Sequence, residues 1–188
     1  MPRFTVYRLL PNPSEFAYFH AIPENERHQT TTRRLFDGTL VDPTWAPPPV
    51  RILYSDRKHW DLGPFRAMDA LAATDEASIM MGKQFYNPGI QLIPFSYQNA
   101  KYWIINILDV VACLDEERSE SDKARLWAIE HYVFRPDRFT RSLFKLPIHR
   151  SSAPYCVDDD KDPDWSFKTI YDRHGMNGLK FKLLWSGG

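Results

Sequence analysis

Two cysteines and eight glycines are sparse in a chain of 188 residues, and each scarcity excludes something. Two thiols allow one bridge at most, so no disulfide framework holds the fold and its stability must come from a buried apolar core. Cys113 lies in an apolar run and Cys156 between Tyr155 and Val157, settings that predict reduced thiols acting as small hydrophobes. The few glycines leave no phosphate-cradling loop, since the nearest cluster, Gly175 to Gly178, is explained by a helix stop. A Gly-x-Ser-x-Gly elbow and a His-Glu-x-x-His zinc helix are also missing. The six histidines stand singly, none at metal-ligand spacing from a Cys or another His. No window approaches the roughly 20 apolar residues of a membrane span. The N-terminal stretch, interrupted by Arg8 and Pro11, lacks the apolar core and cleavage site of a signal peptide, which predicts a cytoplasmic protein.

Net charge is absent too, with 24 basic and 24 acidic side chains. A general nucleic-acid binder needs an excess of Lys and Arg to displace counterions from phosphates, so direct nucleic-acid binding is not expected. No membrane contact, cofactor, metal or catalytic residue is predicted either. What the chain does have is a hydrophobic fraction of 43% and an aromatic fraction of 14%, which suit a packed core and exclude disorder.

The pattern along the chain predicts an α+β fold, mostly antiparallel sheet with a few packed helices. It forms a single domain over 1–188, with a loop-rich N-terminal part (1–49) and a part built of sheet and helices (50–188). Residues 4–10 alternate as an opening strand, Phe4 and Val6 facing one way, Tyr7 and Leu9 the other. From Pro11 to Pro49 the prolines predict loops and short edge strands, with an Asp-Gly hairpin within residues 36–41. Residues 50–54 and 90–95 read as strands. Residues 65–73 and 77–86 read as helical, with Asp75 as an N-cap. Residues 102–108, apolar on both faces, read as a central strand. A helix is expected over 121–131, capped by Ser121 or Asp122. A second has Phe167, Ile170, Tyr171 and His174 on one face, Asp164 as cap and Gly175 as a left-handed stop. In the last strand Leu179, Phe181, Leu183 and Trp185 share a face opposite Lys180 and Lys182.

Catalysis finds little footing. Cys113 is followed by Leu114-Asp115-Glu116-Glu117, and nearby acids raise a thiol pKa. Asp158, Asp160 and Asp162 have the 1, 3, 5 spacing of a calcium loop, but Pro163 stands where glycine is needed and Thr169 where a bidentate Glu belongs. The alternative is a solvated acidic turn ahead of a helix. A dispersed site using His131, Asp137 and Arg138 remains a separate enzymatic possibility. Trp45 and Trp60 read as core or as interface anchors.

Charge, however, is blocked rather than mixed. Residues 109–122 carry six acids and one base, 123–150 seven bases and two acids, and 158–164 five acids and one base. Either the blocks neutralise each other within the fold, or the acidic segments present one surface that steers a basic protein partner. The candidate contact residues are Glu116, Glu117, Glu120, Asp158, Asp159, Asp160 and Asp162.

The run Tyr102-Trp103-Ile104-Ile105-Asn106-Ile107-Leu108-Asp109-Val110-Val111, then Cys113-Leu114-Asp115 and Ser119, resembles a strand-plus-"LD…S" pattern found in a bacterial family of polymorphic-toxin immunity proteins. Leu143-Phe144-Lys145-Leu146-Pro147 is similar to that family's next block. Gly175-Met176-Asn177-Gly178-Leu179-Lys180-Phe181, with Leu184-Trp185, is similar to its C-terminal "G-x-x-G-L-x-F…W" ending. The resemblance covers about residues 100–185, with a looser match from Gly38 to Trp45. It implies a non-enzymatic role in bacterial competition, as the partner of an effector–immunity pair. The chain would bind and neutralise a cognate toxin, many such toxins being nucleases delivered by contact-dependent or secretion systems. The alternative expectation is an adaptor or chaperone that loads a secreted effector.

Overall fold

The computed structural model describes residues 3–22, 36–66, 70–121, 129–149 and 154–188. In chain order the strands are β1 (Phe4–Pro11), β2 (Tyr18–Ala21), β3 (Val50–Leu53), β4 (Leu62–Arg66), β5 (Ala70–Thr74), β6 (Ile90–Tyr97), β7 (Ala100–Ile107), β8 (Glu120–Ser121), β9 (Ile129–His131), β10 (Leu143–Phe144), β11 (Tyr155–Asp159) and β12 (Leu179–Gly187). Helix α1 (Asp75–Met81) follows β5, and helix α2 (Phe167–Arg173) lies between β11 and β12. The fold is α+β, mostly antiparallel sheet with two short helices among the described residues.

Two sheets divide the hydrophobic residues into three clusters. One sheet has the order β10-β11-β1-β12, the other β3-β2-β4-β5-β7-β6, and β8 pairs with β9 alone. Successive strand residues point to opposite faces, so each sheet feeds a cluster on either side. The central cluster takes Leu9, Cys156 and Leu179 from the four-stranded sheet and Leu71, Ile105 and Ile107 from the six-stranded one. Met81 of α1 and Phe167, Ile170 and Tyr171 of α2 complete it. On the far side of the larger sheet lie Phe19, Phe65, Ile93, Phe95 and Ile104, covered by Phe36, Val41 and Trp60. On the far side of the smaller one lie Val6, Tyr155, Val157 and Trp185, covered by Cys113, Phe134 and Trp165. Each such side chain withdrawn from water contributes about 1.5–3 kcal/mol.

β1 follows the expected alternation, with Phe4 and Val6 in the outer cluster and Tyr7 and Leu9 in the central one. β7 lies between β5 and β6, covered on both faces. Gly175 takes the expected left-handed conformation, φ +64°, at the end of α2.

Several expectations need correction. The segment read as helical over 65–73 supplies the end of β4 and most of β5, its residues 67–69 lying outside those described. Leu71 and Ala73 enter the central cluster while Ala70 and Ala72 enter the outer one, a period of two hidden because both faces are apolar. The N-cap of α1 is Thr74, whose side chain accepts from Ala77 N (3.1 Å); Asp75 is the first helical residue. At 121–131, Ser121 and Ile129–His131 are strand, and residues 122–128, including the candidate cap Asp122, lie outside those described. β2 is internal to its sheet, not an edge.

Residues 36–41 form a bend, not a hairpin. Asn106 Nδ2 donates to Thr39 O (2.8 Å) and Gln91 exchanges two bonds with the Val41 backbone (2.7 and 2.9 Å), so the sheet takes the polar groups a hairpin would pair. His174 is exposed and caps α2 rather than lying on its apolar face. In β12 a bulge at Leu184 ends the simple alternation: Tyr7 faces Leu183 but Val6 faces Trp185. Trp185 is thereby turned to the outer cluster, away from Leu179 and Phe181.

Candidate functional site

Of the seven candidate contact carboxylates, two belong to the interior. Asp158 and Asp159 close β11 and are only 9% and 6% exposed. Arg3 donates to both oxygens of Asp159, Nε to Oδ1 (3.0 Å) and Nη2 to Oδ2 (2.7 Å). Those bonds hold the Asp159 carboxyl below the usual carboxylate range, against the opposing effect of burial. Asp158 serves the start of α2, accepting from Lys168 N (2.9 Å) at Oδ1 and from Thr169 Oγ1 (3.0 Å) at Oδ2. It does so because the local candidate is occupied: Ser166 Oγ accepts from Asp159 N (2.8 Å) and lies within bonding distance of Asp162 O (2.8 Å). Burial pushes the Asp158 carboxyl up. Asp158 and Asp159 are therefore withdrawn from the contact set: their chemistry is spent inside the fold. Asp164, expected to cap α2, pairs instead with Arg173 (2.7 Å).

These adjacent acids give opposite pH signatures. A lowered carboxyl contributes stability that is present above the ordinary Asp value of about 3.9 and is lost as pH falls through the folded value. Asp159→Asn should thus weaken the fold at neutral pH and flatten the acid limb below about pH 4. The raised Asp158 contributes in its neutral form, below about pH 3.9, and that contribution is lost as pH rises through its folded value. Denaturant unfolding at a series of pH values reads both.

The other candidates reach the surface. Asp160 and Asp162 are exposed in the turn after β11, and Glu116 and Glu117 in the turn before β8. Asp162 Oδ1 accepts from Trp165 N (3.1 Å), which fixes its turn. The Glu116–Glu117 turn is fixed by Asp115, whose Oδ1 accepts from Arg118 N (3.3 Å) and Arg135 Nη2 (3.4 Å). Glu120 lies in β8; its side chain is outside what is described. The calcium-loop spacing does not converge, because Asp158 addresses α2 while Asp160 and Asp162 are exposed. Among the described residues no three or more of His, Cys, Asp and Glu converge so as to hold a metal ion.

The charge blocks do partly neutralise each other. Asp109 pairs with Arg141 (3.3 Å) and Asp115 with Arg135 (3.4 Å), each linking the acidic block 109–122 to the basic block 123–150. Glu116, Glu117, Asp160 and Asp162 are left without an ion pair among the described residues. The two turns that carry them share a foundation, since Leu114 and Trp165 pack on the same outer cluster.

A cleft of about 440 Å³ opens on that cluster. Phe4, Phe139 and Trp165 form its aromatic walls with Pro136, and Arg3, Asp137, Asp159 and Asp162 supply its charges. A second cleft, of about 310 Å³, shares Trp165 and Asp162 with the first. Gln84 and Ser142 are buried in its lining, and Lys83, Arg141 and Asp164 join them. Sequence reasoning missed this pair of clefts, and the one signal for it was an aromatic residue, Trp165, inside a run of acids. The dispersed set His131, Asp137 and Arg138 does not gather there, for only Asp137 lines the larger cleft.

Cys113 and Cys156 are free and fully buried. Burial pushes the Cys113 thiol up to about 12 and raises Cys156 as well. Neither thiol of the native protein should react with a disulfide reagent at pH 8, whereas both should react once the chain is unfolded in denaturant. Trp60 is core, 7% exposed, while Trp45 is half-buried against Phe36.

No helix among the described residues is long and apolar enough to cross a membrane. Comparison with protein-family models, curated proteins and solved structures finds no match to this chain.

Proposed function

We propose that this chain is an immunity protein, a binder that neutralises a cognate bacterial toxin in the cytoplasm of the cell that makes it. The observation that carries the proposal is the set Glu116, Glu117, Asp160 and Asp162. These carboxylates are exposed and without an ion pair among the described residues, yet stand on turns anchored to one cluster, while Asp115, Asp158, Asp159 and Asp164 are paired or buried. Such a surface attracts a basic partner and excludes phosphate-bearing ones. A nuclease toxin fits this chemistry, because its active site is built to accept phosphates and a carboxylate surface can cover it. The resemblance of residues 100–185 to toxin-immunity proteins agrees with a binding role.

Lysine at all four positions tests the proposal. The unaltered chain should protect cells that express the toxin it captures, and should bind that toxin more weakly as salt rises. The fourfold charge reversal should lower affinity about a hundredfold, near 2.7 kcal/mol. Unchanged affinity and salt dependence would show that another surface binds. A chain needed for effector export but giving no protection would instead be an adaptor.

A further inference from the structure

The larger cleft has a chemistry of its own. Arg3 forms one of its walls, with its guanidinium over the Phe4 ring (4.6 Å to the centroid) and forked onto Asp159. The chain thus already holds one arginine here between an aromatic face and a carboxylate. The opposite elements repeat those ingredients: half-buried Phe139 and Trp165 supply rings, and Asp137 and Asp162 supply carboxylates.

Charge decides what these groups can receive. Arg3 is cancelled by Asp159, which leaves the cleft with Asp137 and Asp162. Among the described residues Asp137 has only Arg138 beside it, at 3.5 Å, with side-chain exposures of 76% and 60%. A pair so open to water is worth little and yields readily to a better partner. Asp162 uses Oδ1 on the Trp165 backbone, and Oδ2 accepts no hydrogen bond among the described residues. An anion would be repelled, and an apolar side chain would strip water from two carboxylates without compensation. A flat guanidinium can stack on a ring and fork onto a carboxylate at once, which a lysine ammonium cannot. About 440 Å³ accommodates such a side chain with its flanking backbone.

We infer that this cleft seats an arginine side chain of the protein partner, stacked against Trp165 and Phe139 and paired with Asp162 and Asp137. The inference rests on the proposed partner binding for the source of the arginine; the site itself can be tested without a partner. Titrating the whole ¹⁵N-labelled chain with N-acetyl-L-arginine amide should give saturable shifts centred on the amides of Asp137, Phe139, Asp162 and Trp165. The neutral isostere N-acetyl-citrulline amide should leave them in place. Both carboxylates lie on the surface, so D137N/D162N should fold normally and bind the probe about fivefold more weakly or worse. Trp165→Leu should weaken it independently of charge. Equal shifts with the citrulline or lysine amide, or unchanged binding by D137N/D162N, would overturn the assignment. A chain that protects cells but takes no arginine probe would overturn this site and leave the immunity function. A chain that takes the probe but protects no cell would leave the site and overturn that function.

Discussion

Gly178→Ala should lower stability by about 3 kcal/mol or more, a fall in Tm of roughly 6–12 °C for a chain of this size. Gly178 has φ +111°, which an L side chain rarely adopts. An added Cβ would also run into the Leu62 carbonyl oxygen and come within 2.6 Å of Trp60 Cβ. Neither neighbour can yield easily. Leu62 N donates to Asn177 O (3.2 Å), Asn177 N donates to Asp61 Oδ2 (3.0 Å), and Trp60 is buried among Phe19 and Tyr102. The start of β12 is thus clamped to the start of β4, joining the two sheets where the glycine sits. Gly175→Ala is the control: its φ is +64° but nothing lies within 4 Å of its added Cβ. It should cost only the backbone conformation, about 1 kcal/mol. Thermal unfolding of the two variants separates the steric cost from the conformational one, and equal shifts would contradict the packing described.

Phe19→Ala should cost about 3–5 kcal/mol. The Phe19 ring is 2% exposed and meets Tyr102 at 4.8 Å, Phe95 at 5.1 Å, and Trp60 and Tyr97 at 5.3 Å each, all edge to face. Removing it opens a cavity that rigid neighbouring rings cannot collapse to fill, and forfeits several ring pairs worth about 0.5–1.5 kcal/mol each. Tm should fall by on the order of 10 °C, with the slope of denaturant unfolding unchanged. Phe19→Leu should recover about half of the loss, since it restores volume without ring edges.

Much of the fold was legible where periodicity had one apolar face to report. β1 was readable because Thr5 and Arg8 interrupt its apolar residues, and α2 because Phe167, Ile170 and Tyr171 recur at helical spacing. The alanine-rich stretch before α1 misled for the reason that makes β5 useful. Its small side chains fit a strand buried on both faces, and alanine's helical preference is overridden by sheet pairing with β4 and β7. Surface charge was overstated for a similar cause. Asp158 and Asp159 look like their neighbours in sequence, and only the approach of Arg3 from the far end of the chain and the return of α2 over β11 make them internal. The cleft was hidden because Phe4, Phe139 and Trp165 come from three separate stretches of chain.

The bulge in β12 has a consequence best expressed in codons. Opposite Val6 and Tyr7 the strand carries one residue more than the pairing uses, and that residue is Leu184. Loss of its codon would leave Leu183 opposite Tyr7 and Trp185 opposite Val6, the pairing they already have. Loss of the Lys180 codon, further from the bulge, would turn Leu179 or Phe181 to the wrong face, whichever side of the gap shifts. The same small deletion is thus absorbed beside the bulge of β12 and ruinous four residues away.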